Sequence, residues 1–257
     1  MVIRIAATGD LHVRPLAPLS FRNELADLAG RVDALVVAGD ITNGGRLIEA
    51  ERAAEMLGST GVPVIAVFGN HDLRSLRRRA FRSAFERVGI IVLDGESVVI
   101  TTDEGERVGF AGVSGSGGGF WPLEGPDGFS IRALRRMALR AEREAARLDA
   151  ALSALEADVR VAITHFAPTT ATLGREPVAK YWMLGNEQLG IVVDRHAVDL
   201  VIHGHAHLGN SEGATRGGTP VRNVAHTITR GLAVHEFFPM TASTSSRSRV
   251  SLVGATR

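Results

Sequence analysis

The chain has 257 residues, 45% hydrophobic and 22% charged. These are ordinary values for a globular protein, and the length suits one large domain better than two small ones. A net charge of +1 gives no global pull toward nucleic acid or membrane, and the absence of cysteine excludes disulfides and thiolate metal sites while leaving imidazole and carboxylate sites open.

Met1–Arg4 leads straight into a strand-like segment with no secretion signal. No apolar run approaches the roughly 20 residues of a membrane helix, so a cytoplasmic location and no membrane partner are expected. Val2–Thr8 is the first short, nearly all-apolar run, and Ala34–Ala38, Val62–Phe68, Val159–Thr164 and Asp199–His203 repeat the pattern. Such runs fit strands buried on both faces. Helical periods occupy Phe21–Gly30, Arg46–Gly58, Leu73–Val88 and Asn186–His196.

Glu96–Thr102 and Arg107–Val113 flank a turn-like Asp103–Glu106 and read as a hairpin. Gly112–Gly119 carries five glycines before Phe120 and Trp121, which reads either as a plain flexible loop or as a lid over substrate. Ser130–Leu155 predicts one long helix capped by Ser130. Pro220–Val224 and Gly231–Phe237 are further strand-like runs, and the Ser/Thr/Arg-rich stretch from Thr241 is expected to be disordered. The pattern predicts an α/β fold: mixed β-sheets, as a two-sheet sandwich, flanked by helices. One domain is expected over residues 1–240, with a disordered tail at 241–257.

The polar residues that end each apolar run carry the chemistry. The runs end in Gly9-Asp10-Leu11-His12, Gly39-Asp40, Gly69-Asn70-His71-Asp72, His165 and Gly204-His205-Ala206-His207. Ligands in such sheets bind beyond the carboxyl ends of the strands. Asp10, His12, Asp40, Asn70, His165, His205 and His207 should therefore converge. Two carboxylates, an amide oxygen and four imidazoles suit Mn, Fe or Zn better than Ca²⁺. Seven donors are too many for one ion with an open position and about right for two sharing a bridging carboxylate.

In this order the five motifs resemble the calcineurin-like metallophosphoesterase superfamily, and the resemblance spans residues 10 to 207. It implies the metallophosphoesterase fold and two divalent or trivalent ions. Asp10, His12 and His207 would hold one ion, Asn70, His165 and His205 the other, and Asp40 would bridge them. His71 would be the general acid. The implied reaction is hydrolysis of a small phosphodiester, such as a cyclic nucleotide, or of a phosphomonoester, by metal-bound hydroxide. A nuclease of the same fold and a non-catalytic interaction module are the alternatives. Near-zero charge argues against nucleic acid, and the complete donor set argues against the module.

Other residues invite plainer readings. His203 reads as a buried, hydrogen-bonded histidine, and His226 comes after a strand-like run from which it can reach the site. Arg74, Arg78 and Arg82 would share one face of a helix, either solvated or capturing phosphate. Asn43 stands where the family often has an Asp, and is expected to form hydrogen bonds rather than bind metal. Asp72 is a candidate for tuning His71.

Overall fold

The computed structural model of the chain describes residues 2–17, 22–26, 28–123, 128–238 and 249–252. Apolar runs with side chains buried on both faces dictate a layered structure, and two six-stranded sheets result. The first contains β1 (Ile3–Thr8), β2 (Ala34–Ala38), β3 (Val64–Val67), β4 (Ile91–Leu93), β11 (Ala233–Phe238) and β12 (Arg249–Leu252), in the order β12-β11-β1-β2-β3-β4. The second contains β5 (Glu96–Thr101), β6 (Arg107–Val113), β7 (Val159–Thr164), β8 (Leu200–His203), β9 (Glu212–Ala214) and β10 (Pro220–Asn223), in the order β5-β6-β7-β8-β10-β9.

Both sheets are mixed, as the sequence predicts. β1 to β4 run parallel, with β11 antiparallel on β1. β6, β7, β8 and β10 run parallel, with β5 and β9 antiparallel at the two edges. The predicted hairpin is β5–β6. β12 pairs with β11; residues 241–248 and 253–257 of the predicted tail lie outside the described residues.

Alternation with period two assigns each strand residue to a layer. Ile3, Ile5, Ala34, Val36, Ile65 and Val67 meet Phe110, Val161, Ile163 and Ile202 between the sheets. Leu35, Val37, Val64 and Ala66 face the other way, onto α2 (Leu47–Gly58) and α3 (Arg78–Glu86). Ala111, Val113, Ala162 and Val201 pack outward on α4 (Ile131–Ser153) and α6 (Glu187–Arg195). The short helices α1 (Arg22–Leu25), α5 (Tyr181–Leu184) and α7 (His226–Thr229) complete the set. No helix among the described residues is long and apolar enough to cross a membrane.

Two predicted helices change. Phe21–Gly30 shrinks to α1, with Phe21 outside the described residues. Leu73–Val88 divides into a 3₁₀ turn (Asp72–Arg74) and α3, because Ser75 turns to ψ 124° while its N–H stays on Asp72 O. Ser130 caps α4, its side chain accepting from Ala133 N–H. The glycine-rich segment is packed rather than loose: Gly118 and Gly119 N–H groups donate to Gly185 O at 3.1 and 3.0 Å. Its backbone thus straps residues 182–185 beside β7.

Candidate metal centre

The first three loops are zipped by main-chain bonds. Asp10 N–H donates to Gly39 O (2.9 Å), His12 N–H to Asp40 O (3.0 Å) and Val13 N–H to Ile41 O (2.9 Å). Asp72, 1% exposed, ties in the third loop. Its carboxylate accepts from Gly69 N–H (3.0 Å), Ile41 N–H (3.1 Å), Thr42 N–H (2.8 Å) and Thr42 Oγ1 (2.7 Å). Burial, then Asp40's charge, pushes Asp72 up to about 6, against those donors. So Asp72 staples the Asp40 loop to the Asn70–His71 loop, a role the sequence concealed because its partners are backbone groups.

β7 and β8 of the second sheet deliver His165, His205 and His207 to the same end of the sandwich. His205 N–H donates to Asp10 Oδ2 (2.9 Å) and binds the two sheets' loops together. An added Cβ at Gly39 (φ +84°) would stand 2.6 Å from His165 Nδ1. That turn therefore needs the missing side chain.

All seven sequence-predicted donors meet. Asp10, His12 and His207 form one group and Asp40, His165 and His205 another, the donor atoms of each lying within 4.8 Å of one another. Asn70 joins the second group, its Oδ1 3.0 Å from His165 Nε2. Asp40 is shared, with Oδ1 3.4 Å from His165 Nε2 and Oδ2 3.9 Å from His12 Nε2. A third group combines His12, Asp40 and His71. Asp10, His12, Asp40 and His205 all have left-handed backbones, at φ 56°, 44°, 47° and 69°. Among the described residues Arg230 is the only other non-glycine so strained, so the strain is concentrated at this site.

The charges are mutually dependent. Burial opposes ionisation of Asp40, yet His165 and the His71 N–H hold it well below the usual carboxylate range. Burial also opposes a charged His165, but Asp40 and Asp10 push it up to about 9. Burial and the charge of His165 push His205 down to about 3, although Asp10 and Asp40 act the other way. Asp10 is lowered despite burial, chiefly by the hydrogen bond from His207 (Nε2–Oδ1 2.8 Å), which raises His207 in turn. The donors fit metal ions: two buried carboxylates face four imidazoles, and His12 Nδ1 is buried without a hydrogen-bond partner among the described residues. A cation takes the place of shared protons in such a set.

His71 sits beside this centre, its Nε2 3.8 Å from Asp40 Oδ2. Its Nδ1 donates to the main-chain oxygen of Asn43 at 2.6 Å, so the contact expected of Asn43 comes from its backbone. One group was missed, Met183 O, 3.2 Å from His205 Nε2; Arg74, read as either solvated or capturing phosphate, places Nη2 3.3 Å from His71 Nε2. His203 is fully buried, bonded to Thr172 Oγ1 (2.8 Å) and Gly204 O (2.7 Å). His226 N–H donates to Gly9 O beside the first loop (2.9 Å). The predicted arginine face is broken up: Arg82 pairs with Glu86 (2.7 Å) and Glu96 (3.6 Å), apart from Arg74.

The sequence matches the profile of the calcineurin-like phosphoesterases over residues 3–209. No curated protein matches it. Among solved structures, TT1561 of Thermus thermophilus aligns with TM-score 0.52 and 15% identity over 91% of this chain and 98% of its own. Sulfate thiohydrolase SoxB of Thermus thermophilus, in complex with glycerol, aligns with TM-score 0.55 and 15% identity. That match covers 98% of this chain and 56% of SoxB. At such identity the likeness shows the fold.

Proposed function

The chain belongs to the calcineurin-like phosphoesterase family and is a metal-dependent hydrolase, and we propose that it cleaves a small phosphate ester at a two-ion centre. Asp10, His12 and His207 would hold one ion, Asn70, His165 and His205 the other, with Asp40 common to both. Imidazole-rich donor sets of this kind take Mn, Fe or Zn. Such ions supply Lewis acidity toward phosphoryl oxygens and lower the pKa of water toward ~7.

The protein's own contribution is placement. Asp40, 2% exposed, is fixed by the His71 main-chain N–H, which donates to its Oδ1 at 2.7 Å. His71 has its tautomer set by the Nδ1–H bond to Asn43 O, which directs Nε2 toward the site. Nδ1 keeps its proton on Asn43 O, so Nε2 acts as the acid in the imidazolium form: its N–H passes to the leaving-group oxygen and the neutral Nδ1–H ring remains, a contribution of about 10²–10⁴-fold for general acids.

The observation that carries the reading is that one carboxylate, Asp40, lies within 4 Å of His12, His71 and His165 together. The test is nitrophenol release from p-nitrophenyl phosphate and bis(p-nitrophenyl) phosphate by Mn²⁺-loaded protein, with metal content measured in parallel. Asp40→Ala should lose both turnover and metal. Turnover unchanged in that variant refutes the proposal.

A further inference from the structure

His71 leads at once into the 3₁₀ turn Asp72–Arg74, and the extended Ser75 delays the next helix until Arg78. The break brings Arg74 back against the ring three residues before it. Arg74 Nη2 lies 3.3 Å from His71 Nε2. A guanidinium only donates, so Nε2 is the acceptor in this arrangement, consistent with Nδ1 donating to Asn43 O at 2.6 Å. Among the described residues Arg74 forms no ion pair with a carboxylate, whereas Arg82 pairs with Glu86 at 2.7 Å and Arg147 with Asp94 at 2.9 Å. A planar, permanently charged fork is thus held at the mouth of the site against the His71 ring, with no carboxylate partner among the described residues.

We infer that Arg74 is a substrate-binding residue that takes a terminal phosphoryl oxygen and so favours phosphomonoesters over phosphodiesters; the inference rests on the phosphoesterase reading above. A monoester presents three terminal oxygens and up to two charges, whereas a diester presents two oxygens and one charge. The third oxygen of a monoester is an anionic acceptor for the fork. In a diester that position carries the second ester group, a poorer acceptor. Bidentate pairing of arginine with phosphate is stronger than the bond to imidazole that it replaces.

The experiment compares kcat/KM for p-nitrophenyl phosphate and bis(p-nitrophenyl) phosphate in Mn²⁺-loaded wild type, Arg74→Ala, Arg74→Lys and Arg78→Ala, with calorimetry of inorganic phosphate binding. Arg74→Ala should lower the monoester-to-diester ratio about 10- to 100-fold, chiefly through KM, and weaken phosphate by a similar factor. Arg74→Lys keeps the charge without the fork and should recover part of both. Arg78→Ala should leave the ratio as it is. If Arg74 only orients His71, both esters slow together through kcat while the ratio and phosphate affinity hold, and the inference is overturned. If wild type turns over neither ester, the phosphoesterase reading fails instead. Phosphate calorimetry then decides the role of Arg74: weakened binding in Arg74→Ala supports it and unchanged binding overturns it.

Discussion

Gly69→Ala isolates the packing that fixes Asp40. A Cβ at residue 69 would come under 3.0 Å from Asp40 Oδ1, its main-chain N and its Cγ. A new rotamer can move Oδ1 away, but the main-chain N cannot move without its loop. That loop is pinned by Asp72 and by the His12 N–H bond to Asp40 O (3.0 Å). Gly69 is itself bonded, donating to Asp72 Oδ2 at 3.0 Å and accepting from Leu73 N–H at 3.0 Å. Overpacking costs about 1–3 kcal/mol, and one weakened hydrogen bond adds about 1 kcal/mol. For a chain of this size that total lowers Tm by about 5–12 °C. Displacing Asp40 by about 1 Å should cost on the order of 10²-fold in turnover. Gly9 is the control, because it precedes the donor Asp10 just as Gly69 precedes the donor Asn70. A Cβ there would meet Ala38 Cβ at an ordinary 3.4 Å. Thermal melts, elemental analysis and nitrophenol release should show a large loss for Gly69→Ala and a small one for Gly9→Ala. Equal losses, or a Gly69→Ala protein with full metal and turnover, would refute the argument from close approach.

Two other residues give independent tests. Asp72→Asn turns an amide NH₂ toward buried N–H donors; it should lower stability by about 2–3 kcal/mol, or about 5–10 °C in Tm, and an unchanged melt would show that the staple is dispensable. His235 is buried on the same face of β11 as Phe237, with no hydrogen-bond partner on either ring nitrogen among the described residues, and burial, then Arg222, pushes it down to about 4. Because its folded pKa lies below the ordinary 6.5, the stability linked to this ring is complete above pH 6.5 and drains away as the pH falls toward 4. The loss amounts to about 3 kcal/mol. His235→Leu should flatten urea-unfolding free energies across that window, and a slope as steep as wild type would remove His235 as its source.

What was legible in the sequence was what short-range pattern encodes. Apolar runs such as Ala34–Ala38 declared strands buried on both faces, and the polar residue after each run declared the site. Asp10, Asp40, His165 and His205 are neighbours because parallel strands place equivalent ends together, a consequence of fold class alone. The illegible parts depend on long-range partners. Leu73–Val88 has helical period throughout, yet it breaks at Ser75. There Gly45 packs against His71 O and Ser75 N, where a Cβ would stand 2.8 Å from each. β4 and β9 have three residues each, too few for a period to register. Gly112–Gly119 reads as loose by composition. Its fixity comes from bonds to residues 182 and 185, more than 60 positions away on the chain.

The left-handed residues show which force wins at the site. Asp10, His12, Asp40 and His205 each give up about 1–3 kcal/mol of backbone preference. Asp tolerates that conformation better than most residues, and glycine would tolerate it best, but glycine has no donor atom to offer. The conformation holds because neighbouring bonds fix it from both sides. His205 N–H is anchored on Asp10 Oδ2, and the backbones of Asp10 and His12 are anchored on the loop of Asp40. Two sheets packed over an apolar interface keep those loops in register. The strained turns aim carboxylate and imidazole groups at one another. Preorganisation of this kind leaves little ordering to be done on binding, which is why the chain keeps side chains where backbone preference alone would put glycine.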